Sequence, residues 1–303
     1  MLERLPPGSR IAVIRLRSLG DCVLTTPALS LLKQHRSDLR IAVLAEDPFR
    51  AVYDLNPDVE SILPPLVSEL RRWQPNLTLN LHGGTRSMML TTLSGARYRA
   101  GFAHHRYSFL YTHRIPTAQQ ILKVDRTVHT AEHIASAVFH LGVPPSEIPR
   151  AKLVAPKGDL LLPARAALIH PFASAPDKTW PLENFLSVAG SLGRQGMTPI
   201  FLSGPGDAST GYQGHRVMHN LPLAQVKLVM SHAELFIGND SGPAHMAAAY
   251  GVPSVVLFGA SDSRIWSPWR TAGRVLQVPD GIQSITVNQV LDAVNALNPL
   301  VRA

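Results

Sequence analysis

Residues 234–258 read ELFIGNDSGPAHMAAAYGVPSVVLF. An apolar run over 234–238 fits a buried strand, NDSGP a turn, and Pro243 the first turn of a helix starting at about 243. A second apolar run follows at 254–258. Strand, turn, helix and strand in this order is the crossover unit of a parallel sheet. The same rhythm extends outward, with strands at 166–170 and 198–203, a helix opened by Pro181, a helix over 223–232 and a last helix near 286–297. It is present in the first half too. Strands are predicted at 11–14, 41–45, 61–63 and 77–81, with helices over 22–35, 66–73 and 127–141. Gly142 and the Pro144–Pro145 pair stop the last of these. Residues 142–165 hold five prolines and read as a linker. The expectation is therefore an α/β chain with an N-terminal domain over 1–150 and a C-terminal domain over 151–303, the C-terminal helix packing back on the first domain. Ligands of open α/β sheets bind beyond the carboxyl ends of strands, so the chemistry is expected in the loops there, at a cleft between the two domains.

The chain has 303 residues, 45% hydrophobic and 17% charged, which excludes disorder and collagen-like repeats. Cys22 is the only cysteine, so an intramolecular disulfide and a cysteine-based zinc site are both excluded. The N-terminus carries no signal-peptide pattern and no stretch reaches the length of a membrane span. A cytoplasmic setting with at most peripheral membrane contact is expected. The formal net charge of +8 lies mostly in the first half. Between 82 and 129, seven basic side chains, including Arg86, Arg97, Arg99 and Arg106, and five histidines meet a single acid, Asp125. This stretch is either a solvated surface or a dock for an anion. No nucleic-acid module accompanies the charge, so a nucleic-acid partner is not expected.

Three loops behind predicted strands carry chemistry. In RLRSLGDCVL, Asp21 is either the cap of the following helix or a general base at a strand's carboxyl end. The glycine pattern fits neither a dinucleotide fingerprint nor a P-loop. In HPFASAPDKTWP, Lys178 ahead of a helix start suits phosphate oxygens, with Ser174 adding a hydroxyl; the alternative is a surface ion pair with Asp177. In GNDSGPAH, amides around Ser241, Gly242 and Ala244 suit a diphosphate, Asp240 a sugar hydroxyl and His245 a phosphate oxygen or hydroxyl. The alternative there is a capped helix with a packed histidine. The loop at 203–209 offers Asp207 as a ribose contact or forms a plain Gly/Pro turn. Trp266 and Trp269 fit interface packing better than base stacking. No clustered ligand spacing suggests a metal.

RIAVIRLRSLGDCVLTTPAL at the start, DKTWP in the middle and GNDSGPAHMAAAYGVPSVVLFG near the end together resemble glycosyltransferase family 9, the bacterial heptosyltransferases of lipopolysaccharide core assembly. The resemblance spans both halves in order. It implies a GT-B fold of two Rossmann-like domains facing a cleft, with the acceptor on the first domain and the nucleotide-sugar donor on the second. It further implies inverting transfer of heptose from ADP-L-glycero-β-D-manno-heptose to a Kdo or heptose acceptor, with no cofactor and no metal. Asp21 matches the family's catalytic aspartate and Lys178 its donor lysine. Asp240, Ser241, Gly242 and His245 match its donor loop.

Two positions depart from the family pattern. Ala173 and Ser174 stand where members carry two hydroxyl residues, and the ribose-holding glutamate has no match beyond the candidate Asp207. The expected partners are an ADP-sugar and an anionic lipid-linked glycan, met by Arg86, Arg97, Arg99 and Arg106 at the cytoplasmic face of the inner membrane. The alternatives are a member with another nucleotide sugar or envelope acceptor, and a sugar-nucleotide epimerase of the same fold.

Overall fold

The computed structural model describes residues 1–158, 162–207, 210–212 and 214–301, with side chains to residue 297 at the C-terminal end. The chain divides into two compact units between Val154 and Ala155.

The first unit is built on β1 (Arg10–Ile14), α1 (Leu19–His35), β2 (Arg40–Leu44), β3 (Ser61–Leu63), α2 (Val67–Trp73), β4 (Leu77–Asn80), α3 (Thr85–Leu93), β5 (Tyr98–Phe102), β6 (His113–Ile115), α4 (Ala118–Leu122) and α5 (Thr130–Leu141). Its six strands are all parallel, in the order β3-β2-β1-β4-β5-β6. Ile11, Ala12, Val13 and Ile14 are all buried. A central parallel strand is covered on both faces, so it reads as an unbroken apolar run rather than an alternation.

Helix α1 is buried over most of its length and contains Pro27. A proline there deprives the Val23 carbonyl of its helical donor. The Thr26 hydroxyl supplies a replacement at 2.8 Å. The same hydroxyl accepts from the Lys152 amide at 2.8 Å, so the end of this unit is tied to the helix at its irregular turn. Helix α5 begins later than its apolar period predicts because His129 caps it. The imidazole accepts from Ala131 N–H at 3.1 Å while Glu132 accepts from His129 N–H at 2.9 Å.

The second unit comprises β7 (Ala166–His170), α6 (Leu182–Arg194), β8 (Thr198–Ser203), β9 (Arg216–His219), α7 (Leu223–Ser231), β10 (Leu235–Asn239), α8 (Gly242–Tyr250), β11 (Ser254–Phe258), α9 (Ser263–Trp266), β12 (Gly273–Gln277) and α10 (Val287–Val301). The strands are again all parallel, in the order β12-β11-β10-β7-β8-β9. Counted from the first strand of its own unit, each sheet runs 3-2-1-4-5-6, the dinucleotide-fold order. The direction of winding reverses between β1 and β4 in one unit and between β7 and β10 in the other. Loops that leave those strands diverge and open a crevice.

The C-terminal helix contributes Val290, Ala293, Val294 and Leu297 to the second unit's own core, with Trp180 and Phe185. Sequence reading expected it to pack back on the first domain. Ile237, fully buried in the middle of β10, is at the centre of that core. Ile237→Ala is expected to lower the stability of this unit by about 2–5 kcal/mol, the range for truncating a buried aliphatic side chain, read as the shift of its urea unfolding midpoint.

Candidate active site

At the switch point of the second sheet, Asn239 ends β10 with its side chain fully buried. Its Nδ2 donates to the Pro171 carbonyl at 2.8 Å and its Oδ1 accepts from Trp180 N–H at 3.1 Å. One amide thus closes the two ends of the loop between β7 and α6. Trp180 is itself buried and donates from Nε1 to the Ile285 carbonyl at 2.8 Å. The middle of the loop is a 3₁₀ turn, Pro176–Lys178, pressed against Gly259 beyond the end of β11. Ala260 N–H donates to the Asp177 carbonyl at 3.3 Å, and a Cβ at position 259 would overlap that oxygen. Only glycine allows this approach.

Lys178 rides on that turn. The ion pair with Asp177 that the sequence leaves open is not formed among the described residues. Instead the ammonium acts on Asp240, whose carboxyl is pushed up by burial and drawn back by the Ser261 hydroxyl and the Lys178 charge. Ser241 occupies the cap position of α8 but makes no side-chain cap; its hydroxyl meets His170 Nδ1 at 3.2 Å. Burial lowers the His170 pKa to about 4, so this partner is neutral at pH 7. Ala244 N–H is turned to the Ser241 carbonyl at 3.1 Å, which corrects its expected role at an anion. The helix start is left to the amides of Ser241 and Gly242.

His245 is 4% exposed within α8. Asp207 closes a turn by accepting from Gly204 N–H at 2.6 Å, and its charge also bears on His170. Ser174 is exposed at the start of the loop, while Ala208 and Ser209 lie outside the described residues. Trp266 and Trp269 are half-buried near the end of α9, with Arg270 over the Trp269 ring.

At the switch point of the first sheet, Asp21 is in the first turn of α1, three residues after the cap position, Ser18. It is not the cap. Its Oδ2 accepts from the Ser18 hydroxyl at 3.2 Å and its Oδ1 is 3.4 Å from Arg15 Nη1. Arg15 is 7% exposed, and this contact orients the carboxylate at the carboxyl edge of the sheet. Arg86, in the first turn of α3, lies at the same edge and pairs with Glu46 at 2.8 Å. Arg106 follows β5 there and is exposed.

Arg97 and Arg99 are elsewhere. In the strand register Arg99 is level with Thr78 and Ala12, and the carboxyl edge begins three residues further on, at Phe102. At about 3.3 Å per residue that is roughly 10 Å along the strand. Arg97 lies beyond Arg99, over the Tyr98 ring, and Arg99 donates to the carbonyl of Ala96 at 3.2 Å. These two arginines serve the amino edge, which corrects their grouping with Asp21.

Sequence reasoning also missed a ring cluster at the carboxyl edge. His133 stacks on Phe102 at 4.1 Å, and His104 lies 5.0 Å from His105 and 5.7 Å from His133. The charges of Arg15 and Asp21 reach His133 and His82. His104 and His105 were visible among the five histidines of the basic stretch, but His133 lies outside it, on α5, and only the fold brings the three together. Among the described residues no group of three or more His, Cys, Asp or Glu side chains is arranged to hold a metal ion.

The model of glycosyltransferase family 9 (heptosyltransferase) matches residues 65–288, a span that contains Lys178 and the 240–245 loop and begins after Asp21. Lipopolysaccharide heptosyltransferase 3 of Escherichia coli is 27% identical over 289 residues, 84% of each chain. The family 9 glycosyl transferase of Veillonella parvula superposes with a TM-score of 0.85 at 23% identity, covering 97% of this chain and 98% of that one. Escherichia coli ADP-heptose lps heptosyltransferase II gives a TM-score of 0.82 at 20% identity, over 97% and 100% of the two chains.

Burial lowers the pKa values of His105, His133 and His170 from 6.5 to about 4. A group depressed on folding contributes stability that is present above its unfolded value and lost as pH falls through the folded one. The unfolding midpoint is therefore expected to drop between pH 6.5 and 4, and His133→Gln should flatten that dependence in a denaturant titration at several pH values.

Proposed function

The chain belongs to glycosyltransferase family 9, the heptosyltransferases, and from that premise we propose that it moves heptose from ADP-L-glycero-β-D-manno-heptose to a Kdo or heptose residue of the lipopolysaccharide core, with inversion and without a metal ion. Two sheets in dinucleotide-fold order are the GT-B class of architecture. Membership places the chain among sugar transferases, and the epimerase alternative falls away.

The observation that carries the proposal is the Lys178–Asp240–Ser241 grouping at the second switch point, held there by Asn239 and Gly259. A neighbour of the same fold is described as an ADP-heptose enzyme. An ADP-sugar fits this grouping: the diphosphate meets the Lys178 ammonium and the amides of Ser241 and Gly242, while Asp240 accepts from sugar hydroxyls. Ser174, Asp207 and His245 complete the proposed donor set.

In the proposed reaction, Asp21 takes the proton of an acceptor hydroxyl while its oxygen bonds to the anomeric carbon. The bond from that carbon to the diphosphate oxygen breaks, and its electron pair leaves on ADP. Negative charge grows on the leaving diphosphate, where Lys178 and the helix-start amides stabilise it without reorganisation. Arg15 orients the Asp21 carboxylate for the transfer. Attack on the face opposite the leaving group inverts the anomeric centre. Arg86 and Arg106 would meet phosphates or carboxylates of the lipid-linked acceptor at the cytoplasmic face of the inner membrane, in peripheral contact; no helix among the described residues is long and apolar enough to cross it.

Calorimetric titration with ADP, GDP and UDP in the presence of EDTA tests the donor half. Preference for ADP, lost in Asp240→Ala, is expected; preference for UDP or GDP overturns the heptose assignment. Asp21→Asn is expected to lower kcat by about 10²–10⁴-fold, the usual range for a general base, with ADP affinity unchanged. A near wild-type kcat in the folded variant removes Asp21 from the chemistry. Arg86→Ala with Arg106→Ala should raise the acceptor KM, whereas neutralising Arg97 and Arg99 should leave it unaltered.

A further inference from the structure

Asn80 ends β4 with its side chain fully buried. Its Oδ1 accepts from the backbone N–H groups of His82 at 3.0 Å and Gly83 at 3.1 Å. Two backbone donors fix which end of the amide is oxygen. Nδ2 therefore faces Ser87 Oγ at 3.2 Å and the Tyr111 hydroxyl at 3.1 Å, donating to both. Ser87 directs its own proton to the Gly84 carbonyl at 2.7 Å.

Tyr111 is 6% exposed, and a buried hydroxyl that already accepts must still place its proton. His105 Nδ1 is 3.1 Å away. His105 is thereby an acceptor at Nδ1 and carries its own proton on Nε2. Burial, with the nearby charges of His104, His133 and Arg15, lowers its pKa to about 4. At neutral pH it is an uncharged ring with one donor in a fixed direction.

The chain makes room for this arrangement. A Cβ on Gly101, in β5, would overlap the Tyr111 ring, and one on Gly83 would stand 2.7 Å from His105 Nε2. Gly83 also has φ +84, a conformation that favours glycine. His105 precedes Arg106 and adjoins His104, and the same ring group reaches the charges of Arg15 and Asp21. Hydroxyl and carboxylate oxygens of a sugar acid are the groups that a neutral, directed N–H donor discriminates. A mobile cation would accept any anion, whereas a fixed donor rejects an oxygen placed wrongly.

We propose that Asn80 and Tyr111 are positioning residues that hold His105 as an Nε2–H donor to a hydroxyl or carboxylate oxygen of the acceptor sugar, at the edge that carries Asp21. The inference rests on the reading that this edge binds the acceptor.

Nitrogen-15 NMR of the histidine rings in the full chain tests the relay directly. The wild type at pH 7 is expected to show His105 as the Nε2–H tautomer, and Tyr111→Phe to convert it to a mixture. With deacylated Kdo–lipid A as acceptor, Tyr111→Phe and His105→Ala are expected to raise acceptor KM about 5–10-fold, the effect of one hydrogen bond, with donor KM and ADP affinity unchanged. His105→Gln, which keeps an N–H donor, should recover part of the loss.

An Nδ1–H tautomer in the wild type overturns the proposal. So does a Tyr111→Phe variant with altered tautomer and unaltered acceptor KM. If the wild type transfers no sugar to this acceptor, the functional reading fails separately. The His105 ring shifts on addition of the same glycan then decide the contact, and their absence overturns it.

Discussion

Parallel pairing is the constraint on which the rest depends. When every strand of a sheet points one way, every strand-to-helix loop emerges at one edge, and no tight hairpin can return the chain. The helices must then cover both faces, which is why β1 and β10 are buried on both sides. The polar groups concentrate beyond the carboxyl ends, where backbone donors of new helices are also exposed. Each sheet reverses its winding once, and the loops on either side of the reversal carry Asp21 and His82 in one unit and Lys178 and Asp240 in the other.

Such loops are polar and would wander without internal fastening. In the second unit the fastening is an asparagine amide used twice, on Pro171 and Trp180, together with a glycine that admits the Asp177 carbonyl. Lys178 needs neither of these groups for its charge. It needs them for a defined location, because a long flexible side chain on a flexible loop forfeits much of its electrostatic effect to entropy. In the first unit the comparable part is played by Arg15 on Asp21 and by Asn80 on the turn after β4.

The central strands were legible because burial on both faces leaves an unmistakable apolar run. The central strands over 166–170, 198–203 and 254–258 fell where the pattern put them, and so did the half-buried edge strand over 61–63. Strand β5 and three of the four edge strands, β6, β9 and β12, were not legible. Arg99 and Arg114 interrupt β5 and β6, Arg216 opens half-exposed β9, and Arg274 breaks β12, so alternation with charge hid them. The polar loop over 240–245 could be singled out because its residues are adjacent in sequence. Gly259, Asn239 and the histidine cluster could not, since their roles depend on partners tens of residues away. Asp21 read as either a cap or a base, and the helix start at Leu19 with Ser18 before it removes the cap reading.

The two units repeat one strand order, each has a hydrophobic cluster of its own, and the polar loops at each edge are fastened by residues of their own unit. Under the proposed function, a lineage retunes the sugar that receives the transfer by altering Arg86, Arg106 or the rings around His105, while leaving untouched the amide and glycine that hold Lys178. On that reading a repeated strand order, fastened by different residues at each edge, makes the two substrates of a transfer separable traits.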